Sequence, residues 1–130
     1  MSEEKTLTCL KDRVDIQNTI LSYATAADFR DWGLLRTILA DFVDIDFTSS
    51  GGPALKVTAE AYVAQVQGLI AGFDTTQHQL TNFSIEIKGN QAKTTVYIFI
   101  AVKRKYWTEP WGAIITTNCN VFKEFGRFPL

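Results

Sequence analysis

The sequence has few of the residues that build cross-linked or metal-stabilised proteins. Its two cysteines, Cys9 and Cys119, lie far apart among 130 residues, a number and spacing that exclude a disulfide framework and a zinc-ligand pattern. The single histidine has neither clustered cysteines nor paired carboxylates beside it, and we therefore predict no metal site. The sequence also lacks a phosphate-binding loop with its following lysine and the serine motif of a nucleophile elbow.

An excess of charge of one sign and a long apolar run are also missing. Thirteen Lys and Arg face fourteen Asp and Glu, which leaves a net charge of -1. Nucleic acid is therefore not an expected partner, because the chain has no excess of positive charge that would bind a phosphate backbone. No stretch approaches the roughly 18 apolar residues of a membrane span, and the N-terminus, MSEEKTLTCL, lacks the apolar segment of a signal peptide. We expect no membrane partner and a cytoplasmic location.

The remaining composition is that of one folded domain spanning residues 1–130. Hydrophobic residues make up 46% and charged residues 21% of the chain, values typical of a soluble globular protein. Apolar residues at helical spacing predict a long helix over residues 11–27, a short one within 31–39 and a third that begins after an N-cap at Thr58.

Apolar and polar residues then alternate with a period of two, which is typical of strands. We predict a hairpin of two short strands near residues 43 and 56, followed by three strands over 83–88, 92–106 and 113–125. Residues 96–102 are apolar on both faces, which indicates a central strand covered on both sides. Segregated helices and antiparallel strands indicate the α+β class, with a twisted sheet wrapped around the long helix and an apolar pocket between them.

His78 is the strongest candidate for chemistry, because histidine is the natural general base near neutral pH. Such a base needs a partner that fixes its tautomer. Asp28 is the best candidate, since it projects from the apolar stripe of the first helix, where a carboxylate is costly unless it is paired. Tyr23 could donate a hydrogen bond to a substrate oxygen or serve as an aromatic residue at the core edge. Taken alone, a single histidine is more often structural than catalytic.

Three further residues are candidates for binding a substrate. Tyr97 and Asn118 lie in the middle of predicted strands, where their side chains could reach a pocket. Trp32 joins them as a pocket candidate, although packing alone would also explain a tryptophan there. Asn82 is expected to hold a turn or the end of a strand.

Several of these motifs together resemble one known family. Tyr23 and Asp28, the following FRDW, the alternating residues 42–47, the segment TQHQLTN at 76–82 and GNQA at 89–92 resemble the SnoaL-like branch of the nuclear-transport-factor-2-like superfamily. The likeness spans roughly residues 14–102; each motif is short, but their order and spacing are distinctive. It implies an α+β cone, in which a curved antiparallel sheet encloses a long N-terminal helix and a deep apolar pocket.

The likeness is strongest to the group of bile acid 7-alpha-dehydratase and, more distantly, scytalone dehydratase. These enzymes use a His–Asp pair and a tyrosine to remove a proton next to a carbonyl and expel water, without a metal or an organic cofactor. The resemblance implies that His78 is the base and then the acid, that Asp28 orients it, and that Tyr23 binds the substrate oxygen. We expect a cofactor-free dehydratase, isomerase or cyclase that acts on a small, largely apolar, oxygenated molecule such as a polyketide, steroid or terpenoid.

The same superfamily also contains proteins without catalytic activity, such as small subunits of ring-hydroxylating dioxygenases and transport adaptors. A ligand-binding or subunit-stabilising module is therefore the alternative function. We also expect a homodimer or a higher homo-oligomer, because the sequence ends before the last strand and its Gly-Trp turn that the family usually has. A partner could cover the exposed sheet edge that would result.

Overall fold

The first helix begins well before the apolar periodicity indicates. In a computed structural model of the chain, α1 spans Glu3–Asp28, because Ser2 caps it by accepting a hydrogen bond from the backbone N–H of Lys5 at 3.3 Å. The acidic side chains of its first turn are favourable beside the positive end of the helix dipole. The structure describes residues 2–46, 48 and 51–104, and the backbone alone of residues 112–124.

The two shorter helices lie where the sequence predicts them. Helix α2 spans Trp32–Thr37 and helix α3 spans Ala59–Ile70. The predicted N-cap of α3 is confirmed, since the hydroxyl of Thr58 accepts a hydrogen bond from the backbone N–H of Ala61 at 3.1 Å. Across the described ranges, none of the helices is both long enough and apolar enough to cross a membrane.

The strands of the described residues form two antiparallel sheets. The early hairpin consists of β1, Phe42–Asp46, and β2, Ala54–Thr58. The second sheet has the order β3-β4-β5, with bounds Thr75–Lys88, Gln91–Lys103 and Gly112–Glu124. The predicted central position of β4 is confirmed, as are the meander order and the hairpin turn at Gly89, whose φ is 59°. The predicted ends of β4 and β5 at residues 106 and 125 lie outside the described residues.

A β-bulge interrupts β3 next to the site described below. The register against β4 shifts between Thr81 and Ser84, and Asn82 has a φ of 57°. The prediction that Asn82 holds a turn or a strand end is wrong, because it lies inside a continuous strand. Asparagine tolerates this left-handed conformation better than most residues, and a bulge bends its strand.

The prediction that β4 is covered on both faces is also wrong. Val96 and Val102 are buried, whereas Tyr97 is 47% exposed and Phe99 is 37% exposed. Successive side chains of a strand point to opposite faces, so along the described residues of β4 one face is buried and the other is partly exposed. Helix α1 packs against β3 on the covered side.

The best-packed core lies where the end of α1 meets α2 and α3. Leu35 is fully buried there, against Ala26 and Val66, with Tyr23 and Trp32 among the partly buried neighbours. This cluster fixes the C-terminal end of α1, which carries Asp28, against the rest of the chain.

We expect Leu35→Ala to lower the free energy of unfolding by about 2–5 kcal/mol, because it removes apolar contacts and leaves a cavity. The matched control is Leu69→Ala on α3, where the leucine is 67% exposed and the expected change is within about 0.5 kcal/mol. Denaturant unfolding of both variants measures the difference. Equal losses would contradict this description of the core.

Candidate active site

The structure brings Asp28 and His78 together across the contact between α1 and β3. Asp28 is the last residue of α1, and its Oδ1 lies 2.6 Å from Nδ1 of His78. The other carboxylate oxygen, Oδ2, accepts the backbone N–H of His78 at 2.9 Å. Both oxygens of one carboxylate are thus used to hold a single residue, which fixes the position of the imidazole along β3.

Thr76 is a third member of this arrangement that sequence analysis missed. Its hydroxyl donates to Oδ1 of Asp28 at 3.0 Å, and the residue is 4% exposed. Thr76 precedes His78 by two positions, so both side chains lie on the same face of β3. The sequence does carry a signal for Thr76, because its hydroxyl lies two residues before the candidate base within one strand.

The hydrogen bonds determine which imidazole nitrogen is available for chemistry. A carboxylate has only acceptor sites, so the 2.6 Å contact places the proton of the neutral ring on Nδ1. Nε2 is then left with its lone pair and can accept a proton. The His78 side chain is 4% exposed and that of Asp28 is 19% exposed, and such shielding from water strengthens the attraction between the carboxylate and a protonated ring.

Tyr23 completes the group of predicted catalytic residues. Its ring lies edge-on to the imidazole of His78, with 6.2 Å between the ring centroids and 86° between the ring planes. Tyr23 and Asp28 both come from the C-terminal part of α1, and Tyr23 packs against the core cluster. The three predicted residues therefore lie in one place.

Aliphatic side chains neighbour His78 on its face of the sheet, on the side away from Thr76. His78 pairs with Ile100, and Leu80 pairs with Ile98. Residues directly opposite in an antiparallel ladder share a face, and positions two apart in a strand do so as well. The imidazole is therefore flanked by aliphatic side chains, which is the lining expected of a site for an apolar molecule.

Of the three predicted substrate-binding residues, Tyr97 and Trp32 lie away from this pair. Tyr97 pairs with Thr81 in the ladder and lies on the opposite face of the sheet from His78. Asn118 belongs to β5 at the register shift that lies between Val96 and Ile98 of β4, and its side chain is outside the described residues.

Trp32 lines a separate cleft of about 360 Å³ between the turn that joins α1 to α2 and the segment from the end of α3 to the start of β3. The residues that line it are Arg30, Trp32, Gln67, Ala71, Phe73 and Asp74. The residues with described side chains contain no group of three His, Cys, Asp or Glu placed to hold a metal ion.

Replacing Thr76 with valine tests the third hydrogen bond. Thr76→Val preserves shape but removes the donor, and we expect it to lower the free energy of unfolding by about 1–3 kcal/mol, since a partly buried carboxylate oxygen loses a partner. Thr75→Val, at an exposed neighbouring position, is the control and should change stability by less than about 0.5 kcal/mol. Thermal and denaturant unfolding measure both. A Thr76→Val protein as stable as the control would show that the bond contributes nothing.

Comparison with known proteins gives a family match over most of the chain. A family model described as the SnoaL-like domain matches residues 8–123. Uncharacterized proteins of Mycobacterium tuberculosis and Mycobacterium bovis are each 30% identical to this chain. The aligned segment of 95 residues covers 69% of this chain and 60% of each of those proteins. The chain thus spans less than two thirds of the length of these curated relatives.

Several solved structures share the fold. A protein of Kribbella flavida is 26% identical, with a TM-score of 0.68 over 72% of this chain and 65% of its own. A candidate dehydratase of the NTF2-like family from Streptomyces avermitilis is 15% identical, with a TM-score of 0.69 over 92% and 87%. A candidate scytalone dehydratase from Novosphingobium aromaticivorans is 13% identical, with a TM-score of 0.67 over 92% and 91%. These neighbours confirm the predicted α+β cone.

Proposed function

This chain belongs to the family of SnoaL-like domains, and from that membership we propose that it is a cofactor-free acid–base enzyme of the dehydratase or isomerase type. The observation that carries the proposal is the 2.6 Å contact between Nδ1 of His78 and Oδ1 of Asp28, made by a histidine side chain that is only 4% exposed. This contact presents Nε2 as a base inside an apolar surrounding. The candidate dehydratases among the structural neighbours support the same class of reaction.

The proposed reaction starts with a proton on a carbon next to a carbonyl group. Nε2 of His78 takes that proton, and Asp28 stabilises the imidazolium that forms. Negative charge develops on the carbonyl oxygen, and the hydroxyl of Tyr23 donates a hydrogen bond to it. The imidazolium then returns the proton to a departing hydroxyl, which leaves as water, or to another carbon, which gives an isomer. A base, an acid and a hydrogen-bond donor suffice for either outcome.

We propose that the substrate is small, largely apolar and oxygenated, as polyketides, steroids and terpenoids are. The aliphatic residues beside His78 support this class, because they offer packing area and few polar contacts. Asn118 remains a proposed substrate contact, whereas Trp32 is no longer proposed as one, because it lines the separate cleft. Tyr97 also leaves the proposal, because its side chain lies on the opposite face of the sheet from the pair.

The alternative, a ligand-binding or subunit-stabilising module, draws support from a different surface. Tyr97 and Phe99 are 47% and 37% exposed on the open face of β4, and exposed aromatic residues are frequent at protein interfaces. A face of this kind would serve a homo-oligomer as well as a foreign partner, so the homo-oligomer stays a prediction.

A screen followed by product analysis separates the two functions. Steroid-, polyketide- and terpenoid-like compounds are first tested for a rise in the thermal unfolding midpoint, because a ligand that binds only the folded state stabilises it. Each compound that binds is then incubated with the protein and analysed by mass spectrometry and NMR. We expect at least one to lose a molecule of water or to be converted to an isomer of the same mass. Binding without any conversion would favour the module.

A further inference from the structure

Arg30 occupies a backbone position that usually belongs to glycine. Helix α1 ends in a Schellman motif, in which the backbone N–H of Arg30 bonds to the carbonyl of Ala27 at 3.3 Å and that of Asp31 bonds to the carbonyl of Ala26 at 2.8 Å. The motif requires a left-handed residue, and Arg30 has a φ of 57°. A side chain makes this conformation costly, and glycine adopts it freely.

The side chain of Arg30 also contributes unfavourably to the free energy of folding. Its Nη2 donates to the carbonyl oxygen of Phe73 at 2.7 Å. Its Nη1 is buried and has no hydrogen-bond partner among the described residues. A buried donor without a partner opposes folding, here on a side chain that is otherwise partly buried. Glycine would avoid both the strained backbone and the buried donor, so stability does not explain an arginine at this position.

The hydrogen bond from Arg30 joins the same two elements, α1 and the start of β3, as the Asp28–His78 contact. Arg30 follows Asp28 by two residues, and Phe73 lies shortly before Thr76 and His78. From residue 74 the chain joins the sheet, where the backbone N–H of Asp74 donates to the carbonyl of Lys103 at 2.9 Å. Arg30 thus ties the end of α1 to the start of β3.

A second arginine ties the same helix to the same strand at a more distant point. Nη1 of Arg13 donates to the carbonyl oxygen of Ile85 at 2.8 Å. The two bonds lie on either side of the contacts that Asp28 makes with His78 and Thr76. Arg30 is by far the nearer of the two in sequence, so it should control the approach of the carboxylate to the imidazole.

We propose that Arg30 is a positioning residue for the Asp28–His78 pair. By holding the carbonyl of Phe73, its guanidinium keeps the start of β3 against the end of α1, and so keeps Nδ1 of His78 on Oδ1 of Asp28. Its effect on turnover rests on the proposed function, but its effect on the geometry of the pair does not.

The test uses the fact that His78 is the only histidine of the chain. Long-range ¹H–¹⁵N NMR of the imidazole reports which nitrogen carries the proton, without a substrate and without assignment by mutation. In the unaltered protein we expect the proton on Nδ1. In Arg30→Gly we expect the population with the proton on Nε2 to rise about tenfold or more, because a hydrogen bond to a charged group accounts for a change of that size. We also expect the thermal unfolding midpoint to stay the same or to rise.

Two further variants make the result decisive. Arg30→Lys retains a cationic donor for the Phe73 carbonyl and should keep the proton on Nδ1. Arg13→Met removes the other arginine–carbonyl bond between α1 and β3 and should leave the tautomer unchanged.

The proposal is overturned by any of three results. One is an Arg30→Gly protein that is unfolded, or that stays folded and keeps the imidazole proton on Nδ1. Another is an equal change in Arg13→Met. The third is an Arg30→Lys protein that behaves like Arg30→Gly. If no compound is ever converted, the proposed function fails while the NMR result on Arg30 still stands.

Discussion

Replacing His78 with alanine is expected to lower kcat by about 10²–10⁴-fold, the contribution of a positioned general base. The substitution removes Nε2, the only imidazole nitrogen left free by the contact of Nδ1 with Asp28. Ligand affinity should change little, because it would depend mainly on apolar contacts. The measurement is the steady-state rate with a converted compound from the screen, together with its thermal shift.

Gln79→Ala is the matched control for this variant. Gln79 is adjacent in β3, exposed, and on the opposite face of the strand from the imidazole. It should retain both the rate and the thermal shift of the unaltered protein. Equal turnover by His78→Ala would show that His78 is not the base, and the acid–base assignment would then have to be abandoned.

The sequence was sufficient to identify Asp28 and His78, but not to show that they meet. Asp28 stands out because local helical periodicity places a carboxylate beside apolar residues, and His78 stands out because it is unique. Their contact depends on how α1 crosses β3, and these elements are joined by a long stretch of chain. Periodicity reports the face of an element and gives no information about which distant element covers it.

The same limit explains the wrong prediction for β4. Apolar residues on both faces predict a strand covered on both sides, yet Tyr97 and Phe99 are partly exposed. Helix α1 shows this as well, because Val14 is one of the apolar residues within the helix predicted over residues 11–27 and is 58% exposed. Among the described residues, the apolar face of α1 is wider than the part of the helix surface that is buried. An apolar residue on the surface is common, so the inference from apolar to buried runs in one direction only.

The bulge in β3 could have been found from the sequence. Before it, the inward positions are the even-numbered ones, such as His78 and Leu80, and after it the partly buried positions include Ile85 and Ile87. This change of phase falls at Asn82, a residue that tolerates a left-handed conformation. A break in alternation beside an asparagine indicates an inserted residue within one strand as readily as a turn between two.

Asp28→Asn is expected to have the second large effect on turnover, and the geometry of the site explains why. The backbone N–H of His78 donates to Oδ2, while Nδ1 of His78 and the hydroxyl of Thr76 both face Oδ1. An asparagine amide has one acceptor and one donor group. Its oxygen must face the backbone N–H, which can only donate, so its NH₂ group faces Nδ1. The hydroxyl of Thr76 can rotate and accept. The asparagine is therefore satisfied only when Nδ1 is bare and the imidazole proton lies on Nε2.

Asp28→Asn is accordingly expected to preserve the fold and reverse the tautomer of His78. The Nε2 lone pair that accepts the substrate proton is then lost, and kcat should fall by about 10²–10⁴-fold, while much of the ligand affinity remains. Long-range ¹H–¹⁵N NMR of the single imidazole and the steady-state rate measure the two effects in the same sample. Asp31→Asn tests for general effects of removing a carboxylate at the same corner, because an asparagine can still cap α2 by accepting from the backbone N–H of Leu34. Two results would refute the role assigned to Asp28. In one, the imidazole proton stays on Nδ1 in Asp28→Asn. In the other, the tautomer reverses but the variant keeps the full rate of the unaltered protein.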